Sequence, residues 1–276
     1  MSILCQVLNV SRSGFYNWRH RDQKRQRREN GKLILLVRQV HRETDGTYGT
    51  RRMAKALHAH GIPCGRCRAR TLMRIAGVSF KSKRRFRITT DSEHTLPVAP
   101  NLLNRQFDVS LPNRAWVGDI TYIWTSKGWL YLATVMDLFS RQIVGWSLQN
   151  RMTRKLVSDA LLMAICRRRP SPGLLFHSDR GSQYCSSEFQ NLLKTHKIVS
   201  SMSRKGDCWD NAVIERFFGS LKSERVNFRN YSTREAAKQD IIEWIEMFYN
   251  SKRRHSYLGY VSPREFEKMQ SIPLAA

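Results

Sequence analysis

From residue 115 onward the chain sets aromatic and β-branched residues in short runs broken by turn formers. The strand candidates are 115–124 (AWVGDITYIW), 129–137 (WLYLATVMD) and 141–149 (RQIVGWSLQ), separated by SKG (126–128) and LFS (138–140). Runs of this length and composition predict a three-stranded meander. Residues 153–168 carry apolar positions at helical spacing behind Thr153, a residue suited to cap a helix. LLFHSD (174–179) and KIVSSM (197–202) read as short strands, with a serine-capped helix over 186–196 between them. A loop and a long helix cover 206–226, and a last helix covers 232–250. The order β-β-β-α-β-α-β-α predicts an α/β fold with a mixed sheet.

Upstream the pattern is helical. Leu4, Val7, Leu8, Phe15 and Trp18 predict helix, turn, helix around VSRSG (10–14). The run RHRDQKRQRR (19–28) reads as a solvated face or a set of phosphate contacts. Three more helices are predicted over 33–42, 51–61 and 67–77, the last two ending at Gly61 and Gly77. Short helices, tight turns and many arginines are similar to a helix-turn-helix module, although a generic basic bundle has the same pattern. Residues 79–105 lack a sustained apolar period, hold two prolines and carry a basic cluster at 81–87, which predicts a linker. The expected domains are a partial helix-turn-helix and basic segment (1–30), a helix-turn-helix-like DNA-binding domain (31–78), a basic linker (79–105), a catalytic core (106–226), and a C-terminal helix with a basic tail (227–276).

Charge narrows the choice of partner. The formal net charge is +26, and residues 1–90 hold 22 Lys/Arg against 4 Asp/Glu, or +18. Such a field attracts polyanions, with nucleic acid first among them. An anionic membrane surface fits less well, because the basic stretches do not form one long amphipathic helix. There is neither an apolar run of the roughly 20 residues a span requires nor a signal-peptide pattern, so a soluble, cytoplasmic, nucleoid-associated protein is expected. The six cysteines are scattered, which favours reduced thiols over a disulfide framework.

Three carboxylates carry the candidate chemistry. Asp119 lies mid-strand, Asp179 at a strand end and Glu215 on a later helix. If the first and fourth strands are neighbours, the two aspartates project side by side and the helix brings in the glutamate. Three clustered carboxylates repel one another, and hard divalent cations relieve that repulsion. Two such ions can stabilise the attacking and leaving oxygens at a phosphodiester. Lys222, seven residues after Glu215, and Asn211, four before it, share its helix face; Val213, Phe217 and Leu221 take the opposite one. Asp137, Asp207, Asp210 and Glu188 are rival carboxylates, and spacing leaves the choice open. His58, His60, Cys64 and Cys67 are tempting as a zinc set, but two helical histidines two apart point away from each other. His177 reads as a packing or orienting residue, and His255 as a backbone contact to DNA or a structural group.

These residues carry a family signature. W-x-x-D-I-T-Y (116–122), HSDRGSQY (177–184), SRKGDCWDNAVIERFFGSLKSE (203–224), YNSKRRHSYLGYVSP (249–263) and VHRETDGTYGTRRM (40–53) span nearly the whole chain. The chain resembles DDE transposases and integrases with a ribonuclease-H-like core, and more closely the OrfB transposases of the family founded by insertion sequence three. The resemblance implies a mixed five-stranded sheet flanked by helices, with Asp119, Asp179 and Glu215 binding two Mg²⁺ or Mn²⁺. It also implies that Lys222 contacts DNA near the cleaved end and that Gly181, Gln183, Asn211 and Trp209 shape the site. Further DNA contacts are expected from Arg216, Lys205, Arg204, Arg51, Arg52, Arg84, Arg85, Arg253 and Arg254. The implied chemistry is attack on DNA phosphodiesters by water and then by a freed 3′-hydroxyl. Element ends and target DNA are the implied partners, on a homo-oligomer. Relatives usually carry an upstream helix-turn-helix and leucine zipper from a separate frame, so an upstream-frame partner protein is a further expectation. The rival readings are a non-catalytic DNA-binding scaffold and a ribonuclease-H-type nuclease.

Overall fold

The computed structural model describes residues 2–19, 23–81, 97–204 and 208–271. They divide into two compact units, Met1–Phe80 and Lys81–Ala276.

The first unit contains five helices among its described residues: α1 (Ser2–Val7), α2 (Arg12–Arg19), α3 (Gln23–Glu43), α4 (Thr50–Ala59) and α5 (Arg66–Ile75). The TDG segment ends α3. Asp45 and Gly46 take positive φ (48° and 68°), which an aspartate tolerates and a glycine prefers. Thr44 Oγ1 donates to the Val40 carbonyl at 2.8 Å, and Thr47 Oγ1 donates to the Thr44 carbonyl at 2.7 Å. Val37, Val40, Tyr48, Met53, Leu57, Leu72 and Met73 are buried, so α3, α4 and α5 share one small core. The expected boundary between residues 30 and 31 is corrected here: α3 runs through it without a break. Residues 23–28 of the basic run form the first turns of that helix.

The second unit is built on a five-stranded sheet in the order β3-β2-β1-β4-β5. Its strands are β1 (Ala115–Thr125), β2 (Gly128–Asp137), β3 (Ile143–Gln149), β4 (Leu175–Ser178) and β5 (Val199–Met202). The meander pairs antiparallel, and β4 pairs parallel to both β1 and β5. Crossovers of this kind need helices: α6 (Arg154–Arg168), the single turn α7 (Ser182–Cys185) and α8 (Ser187–Thr195). After β5 come α9 (Ala212–Glu224), α10 (Arg234–Glu243) continuing as a π-helical turn (Trp244–Tyr249), and α11 (Pro263–Ser271).

Alternation along β1 divides the core into two layers. Ala115, Val117 and Ile123 face a cluster with Ile214, Phe217 and Leu221 of α9, and with Ala237 and Ile241 of α10. Trp116, with Ile120 beside it, faces Leu156, Ala160 and Phe189 of α6 and α8. Glycine marks the closest approaches on that second face. A Cβ at Gly118 would lie 2.4 Å from Phe176 Cζ, and one at Gly145 would lie 2.2 Å from the Ala160 carbonyl oxygen.

Two expected boundaries move. Residues 97–105 belong to the core unit rather than to a linker, because Leu103 is buried and the Leu102 and Leu103 amides donate to Ser201 Oγ. The basic cluster that suggested the linker lies mostly outside the described residues. The expected boundary at 226/227 also goes: the C-terminal helix packs into the core unit, with Ala237, Ile241, Ile245 and Tyr249 buried in the same cluster as α9.

Arg253 fastens that segment to α9. Its guanidinium is 3% exposed and donates to both Glu224 oxygens at 2.6 and 2.7 Å, and to Ser220 Oγ at 3.0 Å. The expectation that Arg253 contacts DNA is therefore corrected: the bidentate pair and its burial turn the side chain inward. Removing one partner of a buried pair strands the other charge. Arg253→Ala is expected to cost about 3–5 kcal/mol in urea denaturation, and an Arg253→Met/Glu224→Met double variant should recover most of it.

Candidate active site

Two adjacent parallel strands bring the aspartates together. The β1–β4 register pairs Val117 with His177, so Asp119 and Asp179 stand two residues further along each strand, at the same level. Beyond Val117 the strands part, which leaves a cleft at the carboxyl end of the parallel pair. Asp179 is fixed by the chain that follows it: the Gly181 amide donates to its Oδ1 at 3.0 Å, and a Cβ at Gly181 would press on the same oxygen. Asp119 accepts from the Ile120 amide at 2.7 Å.

Charge crowding is the electrostatic signature of the cleft. Burial pushes the Asp119 carboxyl well above the usual carboxylate range, and the Asp179 charge adds to it. The Ile120 hydrogen bond opposes that rise, Glu215 adds a smaller push, and Lys222 draws it down. Glu215, on the exposed side of α9, is raised by partial burial and by Asp179. Lys222 is lowered by burial and partly restored by Asp119. Its Nζ lies 4.7 Å from the centroid of the Tyr122 ring. The structure thus brings Asp119, Asp179, Glu215 and Lys222 into one electrostatic neighbourhood.

The rival carboxylates have other work. Asp137 is buried and accepts from the Asn113 and Phe139 amides, shaping the turn after β2. Glu188 pairs with Arg154 at 2.6 Å. Asp207 lies outside the described residues. Asp210 is fully buried and accepts from Asn101 Nδ2 (2.8 Å), Arg105 Nε (2.9 Å), the Arg204 amide (2.9 Å) and the Arg204 guanidinium (3.0 and 3.1 Å). It ties the 97–105 segment to the 3₁₀ turn (Cys208–Asn211) that opens α9.

The site-shaping candidates divide. Gly181 cradles Asp179, and Gln183 Nε2 donates to the Met152 carbonyl at 3.4 Å. Asn211 is the residue before α9 and is buried, with its Oδ1 unpaired in the structure. Trp209 stands exposed on the same turn. Among the DNA-contact candidates, Arg216 is exposed beside Glu215, and Arg204 is half-exposed while pairing with Asp210. Arg254 donates to the Tyr260 carbonyl at 2.9 Å. Arg51 is exposed in the helical unit, and Arg52 lies 5.8 Å from the Tyr48 ring centroid. Lys205, Arg84 and Arg85 lie outside the described residues.

His177 is a packing residue. It is fully buried between Ser201 Oγ (2.8 Å) and Ser203 Oγ (3.2 Å), and burial lowers it to about 4, so the ring is neutral. His255 lies in a β-bridge with Val261 and meets the Tyr249 hydroxyl at 3.3 Å. Sequence reasoning missed Tyr184, whose buried phenol is raised by burial and by the charges of Asp119 and Asp179. Its place in HSDRGSQY was the available signal. It also missed the exposed Arg66–Arg70–Arg74 ridge of α5, legible in the spacing of four.

Among the described residues, no three His, Cys, Asp or Glu side chains form a ready-made metal shell, at His58/His60/Cys64/Cys67 or elsewhere. The all-oxygen, mutually repelling donor set of the cleft nevertheless fits a hard cation that supplies waters and substrate phosphate as its other ligands.

A mixed sheet of this order, with acids crowded where β4 leaves β1 and a third acid on the helix α9, has the layout of an integrase-type core. Residues 110–208 match the family model described as an integrase core domain, a second integrase core model matches 196–263, and an HTH-like domain model matches 27–86. The chain is 45% identical over 265 residues to an insertion element IS600 31 kDa protein of Shigella sonnei, covering 96% of this chain and 97% of that one. It is 42% identical over 271 residues to the transposase InsF for insertion sequence IS3A of Escherichia coli, covering 96% and 92%. The fold is similar to that in a simian T-cell lymphotropic virus intasome bound to PP2A regulatory subunit B56 gamma, with a TM-score of 0.50 and 20% identity over 87% of this chain and 76% of that one. The chain belongs to the insertion-sequence transposases that carry an integrase core.

The Asp210 lock has a pH signature. Its arginine partners, Arg204 first, hold the folded-state carboxyl below its ordinary value. A depressed carboxylate contributes stability above its unfolded pKa of about 3.9 and loses that contribution as pH falls through the folded value. The stability gap between the native protein and Asp210→Asn should therefore be full near neutrality, about 2 kcal/mol, and close below about pH 4. Denaturation curves across that range check it.

Proposed function

We propose that this transposase cleaves and joins DNA strands at insertion-sequence ends, with Asp119, Asp179 and Glu215 as the catalytic carboxylates holding two Mg²⁺ or Mn²⁺ ions. The observation that carries this reading is the β1–β4 register, which sets Asp119 level with Asp179, with Glu215 near enough for the acids to raise one another. When bound, such ions activate the attacking oxygen and stabilise the leaving one at phosphorus. The protein supplies position. Gly181 and the Ile120 amide fix the two aspartates, α9 carries Glu215 over them, and Lys222 stands beside Asp119 to meet a phosphate.

DNA is the partner the charge supports. Arg216 flanks Glu215, and the ridge Arg66, Arg70 and Arg74 makes α5 the best-placed helix for a groove, with Arg51 and Arg52 on α4 as backbone contacts. Joining two element ends calls for at least two copies on DNA, and an upstream-frame product is a further partner to test. No helix among the described residues is long and apolar enough to cross a membrane, in keeping with action on the nucleoid.

The test couples activity to a second measurement. Asp179→Asn and Glu215→Gln should each lower Mn²⁺-dependent nicking and joining of element-end DNA by about 10²-fold or more. Without metal both variants should melt at or above the native temperature, because each removes one of three repelling charges. Divalent cation should raise the native melting temperature, by mass action, and the variants' much less. Full activity in either variant refutes the triad. Preference for RNA–DNA hybrids over duplex DNA would favour a ribonuclease-H-type nuclease instead.

A further inference from the structure

We propose that the uncovered end of the β1–β2 hairpin is a stacking seat for an unpaired base of the DNA, close to the reacting phosphate. The proposal rests on the DNA-cleaving reading above.

Past Val117, β1 keeps β2 on one side and has left β4 on the other. Its side chains on the Ile120 face are then Tyr122 and Trp124. Trp129 of β2 stands directly opposite Trp124. The three rings interlock edge to face, with centroids 4.8 Å apart for Trp124–Trp129 and 5.0 Å for Tyr122–Trp129. Yet Trp124 is 60% exposed and Trp129 37%. Rings fixed by one another and left open to water offer a rigid apolar face at little entropic cost.

Cations border this face at both ends. Lys222 Nζ sits on the Tyr122 ring at 4.7 Å. At the hairpin tip Lys127 is exposed, and Arg234 Nε donates to the Trp129 carbonyl at 3.1 Å. Aromatic rings interleaved with cations suit a nucleobase and its flanking phosphates, since every base has a π-face and every linkage a charge. An apolar protein partner would leave those cations facing no counter-charge. Position favours the same occupant. Trp124 is five residues along the strand from Asp119, roughly 17 Å at strand rise, which is about five nucleotides at B-form spacing. Lys222 feels Asp119 and lies on the Tyr122 ring, so one ammonium links the acid on the α9 face of β1 to the rings on the other face. A DNA end that frays there would have its freed base caught within reach of the cut.

The test uses the full chain without divalent metal, a blunt duplex, and the same duplex with a short oligoadenosine overhang containing 2-aminopurine. Native protein should prefer the overhang and change the 2-aminopurine fluorescence. Trp124→Ala should weaken overhang binding about ten-fold and abolish the fluorescence change, while blunt-duplex binding stays within about two-fold. Trp124→Phe should keep most of the preference, and Trp129→Ala should behave like Trp124→Ala. Equal binding of both DNAs by native and Trp124→Ala protein overturns the proposal. So does a change in sedimentation with unchanged overhang preference, which would assign the patch to a second copy of the chain. Metal-dependent cleavage measured alongside separates the two readings. Native cleavage matched by Trp124→Ala, with no overhang preference, overturns the seat alone. No cleavage and no preference in native protein overturns both.

Discussion

Everything at the cleft follows from how briefly β1 and β4 stay paired. Three positions, Ala115–Leu175, Trp116–Phe176 and Val117–His177, hold the two strands parallel. That is enough to fix the level of Asp119 against Asp179, and short enough that both carboxylates emerge where the strands part. Gly118 makes the pairing possible, because Phe176 occupies the space its side chain would take. A longer ladder would seal the acids between strands. Without the ladder nothing would hold them level.

Many acids of the core unit are paired with arginine. Asp210, Asp240, Glu224 and Glu246 each have an arginine partner at 3.0 Å or less, and Glu267 pairs with Arg168. These pairs fasten segments distant in sequence: 97–105 to the turn before α9, the end of α9 to α10, and the 249–263 stretch back to α9. Asp119 and Glu215 are treated differently. Their environments raise them, and the cation nearest Asp119 is a lysine lowered by its own burial. Arginine neutralises the structural acids permanently, whereas the cleft acids keep a standing demand for positive charge. Such a division is what a site that recruits cations and phosphate needs.

Much of this was legible in the sequence, for identifiable reasons. Strands β1 to β3 and their order follow from alternation bounded by turn residues, and the expected limits fall within about two residues of those observed, as boundaries do. The α9 stripe of Phe217 and Leu221 is buried as its period requires, leaving Glu215 and Lys222 off the core. What failed to show was non-local. Arg253 reads as a cation in a basic tail until Glu224, 29 residues earlier, is seen to face it. Residues 97–105 read as linker because their anchors, Ser201 and Asp210, lie about a hundred positions away. The length of α3 was hidden by a run of charge, since solvated residues carry no apolar period even when helical.

Asp119 tolerates the middle of an apolar strand because of where that strand loses its neighbour. Its side chain lies on the α9 face, between buried Val117 and Thr121, where an isolated carboxylate would be costly. Yet it sits two positions past the last β1–β4 pair, where β4 no longer flanks β1, and Lys222 reaches from α9 to the Tyr122 ring. The strand is thus paired on both sides up to Val117 and on its β2 side alone beyond it, while Thr121 and Ile123 stay buried. The aspartate, the tyrosine and the tryptophan in DITYIW follow one another along that edge because β4 leaves β1 after Val117 while β2 stays paired through Thr125.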